Sequence, residues 1–286
     1  MFHINHMRVV NAFLCFLLLT FLGYDHAVAF QAEVSPAGIY PGDAFIIKVT
    51  GLDAGQAPEA FLGKKPFYFS DCGEGCSLAI GSIGLETKPG TRAVKLIVGG
   101  SKASINLHVK KADFPTIHLT LPDSKVFLGP EDLKRAQTEA ERLKAVWDGI
   151  SDKLWEGKFI LPLDNKTSTA FGVKRVMNKK KVSIHRGVDI KGKKGDKIKA
   201  FNRGRVVLAD DLFFGGNTLV LDHGQGIFSI YMHMSKFNVR PGDIVEKGEI
   251  VGLVGATGRA SGPHLHFSTK VRNISTNPLS LLELAL

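Results

Sequence analysis

Glycine and proline divide most of this chain into short apolar segments, and this punctuation argues against a fold built mainly from helices. The chain contains 31 Gly and 12 Pro in 286 residues. Short apolar runs between Gly/Pro turns are typical of strands joined by hairpins. In the second half of the chain such runs lie at 205–209, 218–222, 228–233, 250–254 and 264–271. We therefore predict a mainly β chain whose C-terminal domain, residues 158–286, is an antiparallel sheet.

Residues 30–112 repeat this pattern. The apolar runs at 44–50 and 91–98 each follow a Pro-Gly turn, and residues 103–110 alternate between apolar and polar side chains. This spacing predicts a small β-sandwich. His108 falls on the polar face of its strand, so we interpret this domain as a binding or spacer module without catalytic residues.

One amphipathic helix is predicted at about 130–148, within a linker of residues 113–157. Proline at position 130 suits the first turn of a helix. Apolar residues then recur at helical spacing among charged ones: Leu133, Ala136, Ala140, Leu143 and Trp147.

The first 29 residues are typical of a secretory signal peptide. Residues 9–24 are apolar and uncharged, and Ala27-Val28-Ala29 has the small-residue pattern that precedes cleavage. The alternative is a single membrane anchor, but the run falls short of the roughly 20 residues that cross a bilayer. We predict an exported protein, periplasmic or associated with the cell wall, with no stable membrane insertion after cleavage.

Two cysteines remain after residue 29, at Cys72 and Cys76, within the glycine-rich segment DCGEGC. An oxidising compartment favours a disulfide between them. A metal-binding pair and two free thiols are the alternatives.

The positive charge is concentrated in one segment. The whole chain has a net charge of +10, and residues 174–205 contain 13 basic and two acidic residues, a local charge of +11. Such an excess indicates an anionic partner: nucleic acid, a membrane surface or an anionic polymer. Export and the lack of interleaved aromatic residues argue against nucleic acid.

Five candidate site residues lie in three motifs of the second domain. His185 and Asp189 are four residues apart, His264 and His266 are two apart, and His233 ends an apolar run. We expect each close pair to point to one side of a strand. Imidazole nitrogens and carboxylate oxygens are ligands that suit zinc, and a catalytic zinc takes three protein ligands. Two histidines would then remain for proton transfer and for stabilising an oxyanion.

The segments that contain these residues resemble the lysostaphin/LytM family of zinc endopeptidases over roughly residues 160–280. The matching segments are FGVKR at 171–175, HRGVDI at 185–190, GGNT at 215–218, LDHG at 221–224, YMH at 231–233, VRPGD at 239–243, GATG at 255–258 and SGPHLHF at 261–267. Lys174 departs from the family, which often has arginine at this position.

This resemblance implies an exported enzyme that hydrolyses the peptide crosslinks of peptidoglycan. It implies one zinc ion bound by His185, Asp189 and His266. His264 would take the proton of the attacking water, and His233 would donate a hydrogen bond to the oxyanion. The resemblance also implies that His223, in a glycine turn, is not a ligand.

The N-terminal segment resembles the immunoglobulin-like modules of some exported family members. The main alternative function is a non-enzymatic murein-binding or hydrolase-activating protein on the same fold. Such proteins lose ligands, whereas all five site residues are present here.

Two further alternatives lack a required motif. Residues 239–252 resemble a biotinyl or lipoyl carrier but have no Met-Lys-Met turn. The glycines at 252, 255 and 258 are not followed by the Gly-Lys-Ser/Thr of a phosphate loop, so we interpret them as turn residues.

Overall fold

The computed structural model describes residues 30–120 and 123–286, and it confirms a mainly β chain. The predicted signal peptide at 1–29 lies outside the described residues. Among the helices that are described, none is both long enough and apolar enough to cross a membrane.

The N-terminal domain consists of two sheets packed face to face. Its strands are β1 (Gln31–Ser35), β2 (Gly38–Ile39), β3 (Ala44–Thr50), β4 (Glu59–Leu62), β5 (Lys65–Pro66), β6 (Ser70–Gly73), β7 (Cys76–Ser82), β8 (Gly90–Val98) and β9 (Ser101–Val109). One sheet has the order β1-β3-β7-β6 and the other β2-β9-β8-β4-β5. A disulfide joins Cys72 to Cys76 across the turn between β6 and β7.

Strand β3 is buried on both of its faces. Phe45, Ile47 and Val49 pack into the core between the two sheets. Ala44 and Ile46 point the opposite way and join the core of the C-terminal domain. The continuous apolar run AFII at the start of this strand follows from its position, because a strand covered on both sides has no solvent face for polar residues.

The segment that links the domains is itself part of the fold. It contains β10 (Thr116–Leu119), α1 (Asp123–Val126) and α2 (Pro130–Trp147). Strand β10 runs parallel to a strand of the C-terminal domain, β12 (Lys174–Met177). The long helix α2 places Leu143, Val146 and Trp147 against apolar residues of the C-terminal sheet, so the amphipathic pattern at 130–148 correctly predicts a helix.

The C-terminal domain is built around a ten-stranded sheet made of hairpins. Its elements are β11 (Thr167–Thr169), β12, β13 (Lys181–Ile184), β14 (Val188–Lys191), β15 (Lys197–Lys199), β16 (Gly204–Leu212), β17 (Gly216–Asp222), β18 (Ile227–Phe237), β19 (Ile244–Val245), β20 (Ile250–Val254), β21 (His264–Val271), β22 (Ile274–Thr276) and α3 (Pro278–Leu282). The main sheet has the order β11-β14-β21-β18-β17-β16-β19, and β15, β20 and β22 pair at its sides. Strands β10, β12 and β13 form a separate three-stranded sheet.

Polar contacts join the two domains close to α3. The Ala44 N–H donates to Ser280 Oγ at 2.9 Å. The Asn277 side-chain amide donates to Asp43 Oδ1 at 3.0 Å, and the Asn277 backbone N–H donates to the carbonyl of Gly42 at 2.7 Å. Together with the shared apolar core, these bonds attach the sandwich to the larger sheet.

Candidate metal centre

Three adjacent strands bring the candidate residues together. In the antiparallel register Asp189 of β14 lies opposite His266 of β21, and His266 lies opposite Met232 of β18. His264 precedes His266 by two residues, so both histidines project from one face of β21.

The sequence pattern predicts that His185 and Asp189 share one strand, but only Asp189 lies in a strand. His185 lies in an irregular segment between β13 and β14. Gly187, two residues later, passes very close to β21: a Cβ there would lie 2.3 Å from Ser268 Oγ and 2.6 Å from the Phe267 carbonyl oxygen. Only glycine permits this approach, which folds His185 back towards Asp189.

The ligand atoms of His185, Asp189 and His266 converge at one point. His185 Nε2 lies 3.0 Å from both Asp189 Oδ1 and His266 Nδ1. His266 Nδ1 lies 2.8 Å from Asp189 Oδ1. Two imidazole nitrogens and a carboxylate oxygen form a donor set that zinc favours, and the chain's residues therefore fit a zinc ion.

The remaining ring nitrogens of these two histidines are held by neighbouring groups. His185 Nδ1 donates to the carbonyl of Ala170 at 2.8 Å, which leaves Nε2 as the nitrogen with a free lone pair. His266 Nε2 lies 2.8 Å from Ser268 Oγ, a hydroxyl that can donate or accept. Such partners fix the orientation of metal-binding imidazoles.

Arg175 contacts the other side of the Asp189 carboxylate. Its Nη2 lies 3.5 Å from Oδ2, while Oδ1 faces the two histidines. Arg175 follows Lys174, the residue that departs from the family pattern. The only sign of this role in the sequence is the place of Arg175 in the FGVKR segment.

Burial and hydrogen bonding act in opposite directions on Asp189. Burial by itself raises the pKa of this carboxyl group, but the hydrogen bonds to His185 and His266 outweigh it and hold the pKa far below its usual range. Burial lowers the pKa of His266, against the raising effect of its hydrogen bond to Asp189. The lowered pKa values of Asp189 and His266 favour a carboxylate beside a neutral His266 ring, the protonation states that bind a metal.

His233 points towards this cluster because β18 is bulged at that position. Its φ of 64° lies in the left-handed region, and the register between β17 and β18 shifts around it. Bulges of this kind redirect a side chain. His233 Nδ1 then donates to the carbonyl of Thr257 at 2.9 Å, and Thr257 Oγ1 donates to the Met234 carbonyl at 2.8 Å.

The loop that carries Thr257 approaches β17 more closely than a side chain allows. A Cβ on Gly216 would lie 2.3 Å from the Thr257 carbonyl carbon and 2.4 Å from Gly258 N. Gly216 is therefore needed to place the carbonyl that holds His233.

His264 and His233 stand side by side, with ring centroids 4.8 Å apart. His264 Nδ1 donates to the Gly262 carbonyl at 2.9 Å, and its Nε2 lies 3.8 Å from Asp189 Oδ1. Because both Nδ1 atoms donate to carbonyls, Nε2 of each neutral ring is a proton acceptor. Burial lowers the pKa of His233 to about 4, so this ring is neutral at neutral pH.

This protonation state changes the role expected of His233. A neutral His233 with Nδ1 bound to Thr257 has no proton on Nε2 to donate to an oxyanion. It becomes a donor at Nε2 only after it takes up a proton.

His223 lies outside the cluster, in the core. Its Nδ1 bonds the Arg203 carbonyl at 2.8 Å, and its Nε2 lies 2.7 Å from Ser229 Oγ. Burial lowers the pKa of His223 to about 4, and both ring nitrogens already have partners.

Comparison with known proteins identifies the family of this chain. Residues 183–278 match the sequence pattern of peptidase family M23. A solved structure of an M23 peptidase from Pseudomonas aeruginosa is 30% identical, with a TM-score of 0.65, over 85% of this chain and 94% of that chain. The chain belongs to peptidase family M23.

Two curated relatives of this M23 chain resemble its C-terminal part. Peptidoglycan DD-endopeptidase ShyA of Vibrio cholerae is 33% identical over 136 residues, 46% of this chain and 32% of the relative. Lysostaphin of Staphylococcus staphylolyticus is 41% identical over 96 residues, 33% of this chain and 20% of the relative. The chain thus spans a third or less of the length of these relatives.

Proposed function

We propose that this chain is an exported zinc endopeptidase that hydrolyses peptide crosslinks of peptidoglycan. The observation that carries the proposal is the convergence of His185, Asp189 and His266 with two further histidines beside them. His264 Nε2 lies 3.8 Å from Asp189 Oδ1, and the ring centroid of His233 lies 6.1 Å from that of His266. Membership of family M23 supports peptidase activity, and the names of ShyA and lysostaphin support a cell-wall substrate.

His185, Asp189 and His266 would hold the ion through Nε2, Oδ1 and Nδ1. A bound zinc ion supplies a Lewis acid for the scissile carbonyl and lowers the pKa of a bound water molecule towards about 7. The orientation of these three residues is fixed by contacts with the Ala170 carbonyl, the Ser268 hydroxyl and the Arg175 guanidinium.

The two remaining histidines would move the proton. In the neutral state His264 Nε2 accepts a proton from the attacking water as its oxygen bonds to the carbonyl carbon. The resulting imidazolium is a hydrogen-bond donor, and it can deliver the proton to the amide nitrogen as the C–N bond breaks. The ring centroid of His233 lies 4.8 Å from that of His264, and His233 Nε2 is a second proton acceptor. His233 would share this proton and, once protonated, would donate a hydrogen bond to the oxyanion.

The basic segment at 174–205 would attract the anionic polymer. It supplies β12, β13, β14 and β15, and it includes the site residues His185 and Asp189. Long-range attraction of this kind raises the local concentration of an anionic substrate near the site.

The alternative, a non-enzymatic murein-binding protein, has less support. Such a protein has no need for ligand atoms within 3.0 Å of one another, nor for two further histidines whose Nδ1 atoms are both held by carbonyls.

Digestion of purified sacculi tests the proposal. The full chain is depleted of metal with a chelator, and newly formed amino groups are counted before and after one equivalent of zinc is returned. We expect no new amines without metal and their appearance with zinc. Binding to sacculi with no new amines in either state would contradict the enzyme and favour the alternative.

A further inference from the structure

A cavity of about 240 Å³ opens beside the metal cluster, between helix α2 and the sheet. Its walls include His266, the residue that this cavity shares with the cluster. Leu143 and Trp147 of α2 form one side, and Ile230 and Met232 of β18 lie on the sheet side. The volume is below the roughly 300–1,000 Å³ that is usual for sites of drug-sized ligands, so it suits a single amino-acid residue.

Two cations line this otherwise largely apolar cavity, Arg186 and Lys270. Arg186 follows His185 directly, and Lys270 lies four residues beyond His266 on the same face of β21. A third cation, Lys65 of the N-terminal sandwich, is close enough to repel Lys270. Burial, and then the charges of Arg186 and Lys65, lower the pKa of Lys270.

These positive charges have little compensation within the chain. Arg186 Nη2 lies 3.8 Å from Oε1 of Glu86, a side chain that is 81% exposed. Lys270 Nζ lies 3.4 Å from Asn273 Oδ1 and 5.3 Å from the centre of the Trp147 ring. Among the described residues no carboxylate lies within ion-pair distance of Lys270. A half-buried lysine without an acidic partner, beside an arginine whose acidic partner is exposed, is typical of a site that awaits an anion.

We infer that Arg186 and Lys270 form a subsite for a free carboxylate on the amino-acid residue adjoining the scissile amide. This inference rests on the proposed function and adds a substrate class to it, namely crosslinks with a carboxylate beside the cleaved bond. Uncharged glycine bridges would lack this group. The apolar walls and the hydroxyls of Thr218 and Ser268 suit an amino-acid residue with an acidic group better than they suit a bare phosphate.

The position of the cavity supports a role in substrate choice. Because His266 belongs to both the cluster and the cavity wall, a residue held in the cavity adjoins the point where the amide is cleaved. The carboxylate would accept hydrogen bonds from the guanidinium and the ammonium group at once, and charge-assisted bonds of this kind are the stronger ones.

Two cross-linked peptides that differ in one group test this inference on the full chain with zinc. One has a free carboxylate next to the scissile nitrogen, and the other has a carboxamide there. We expect kcat/KM to favour the carboxylate by roughly 10-fold to 100-fold, mainly through KM. Lys270→Met should reduce this preference towards unity and Lys270→Arg should preserve it. Lys102→Met, on an exposed lysine of β9, is the matched control and should leave the preference unchanged.

A binding measurement separates this inference from the proposed function. The leaving residue is titrated into the wild type and into Lys270→Met as free acid and as amide. Tighter binding of the acid, lost in Lys270→Met, supports the subsite even if no peptide is cleaved. Equal rates for both crosslinked peptides, or equal binding of acid and amide, would overturn the subsite while leaving the peptidase activity intact.

Discussion

The guanidinium of Arg175 lies against the oxygen of Asp189 that faces away from the two histidines. Nη2 is 3.5 Å from Oδ2, while Oδ1 is 2.8 Å from His266 Nδ1. The two carboxylate oxygens therefore have separate partners, and Arg175 holds the carboxylate in the orientation that presents Oδ1 to the ligand cluster.

Substitution of Arg175 should weaken metal binding. Without the guanidinium the Asp189 carboxylate can rotate, and loss of such outer partners typically lowers metal affinity by about 10- to 100-fold. We expect this decrease for Arg175→Met, measured by competition with a chelator, and a smaller one for Arg175→Lys. Lys174→Met, at the exposed neighbouring position, is the control. An unchanged affinity in Arg175→Met would show that the contact has no positioning role.

A methyl group at Gly187 should disrupt the same cluster from another side. Alanine there would place Cβ 2.7 Å from His266 Nε2 as well as against Ser268. We expect Gly187→Ala to lose metal affinity and to lower the free energy of unfolding by about 1–3 kcal/mol, the usual cost of overpacking. Gly262→Ala is a matched control, because its Cβ would meet no atom within 4 Å. Normal zinc binding in Gly187→Ala would contradict the close approach.

The two outer histidines should affect catalysis without affecting metal content. Their free Nε2 atoms make them proton acceptors, and removal of such a group typically lowers the rate about 10²–10⁴-fold. We expect His233→Ala and His264→Ala each to retain zinc and to lose kcat to this extent. His118→Ala, on an exposed residue of β10, should leave the rate unchanged. Loss of zinc in His264→Ala would instead make that residue a ligand.

Buried His223 should make folding stability depend on pH. Its pKa is about 4 in the folded chain against 6.5 for an unperturbed histidine, so the unfolded chain binds the proton more tightly. Stability should therefore decrease as the pH falls from about 6.5 to about 4, by about 3 kcal/mol at 1.36 kcal/mol per pKa unit. Denaturant unfolding of the full chain at several pH values measures this loss. His223→Gln should flatten the dependence and His108→Gln, an exposed control, should not; equal slopes in all three proteins would refute the assignment.

Binding to the cell wall should weaken with salt. Exposed charges are screened beyond about 8–10 Å at 0.10–0.15 M ionic strength, and the basic segment contains exposed lysines such as Lys180 and Lys194. We expect the affinity for sacculi to fall as salt rises, and to fall less steeply in the double variant Lys180→Gln/Lys194→Gln. The same affinity at low and high salt would exclude an electrostatic contribution.

Local patterns in the sequence were enough to predict much of this arrangement. Alternation along β21 correctly places His264 and His266 on one face, because side chains in a strand have a period of two. The same reasoning predicted one strand for His185 and Asp189, whereas His185 lies outside β14. The local sequence does not show this, because the close approach of Gly187 involves β21, a strand about 80 residues away. The glycines did indicate turns, but Gly252 lies inside β20.

Long-range contacts determine most of the features that the sequence does not predict. The apolar run of β3 predicts a buried strand, yet nothing local indicates that one face covers the C-terminal domain. The bond between Asp43 and Asn277 joins residues 234 positions apart. Nothing local in the sequence indicates that Lys270 of β21 lines the same cavity as Arg186.

Zinc content and crosslink cleavage, measured together on one preparation of the full chain and on His266→Ala, test whether the cluster is a catalytic zinc site. We expect one zinc ion per chain and release of muropeptides from purified sacculi by the wild type, with both lost in the variant. A wild-type chain that binds no zinc and releases no muropeptides would contradict it.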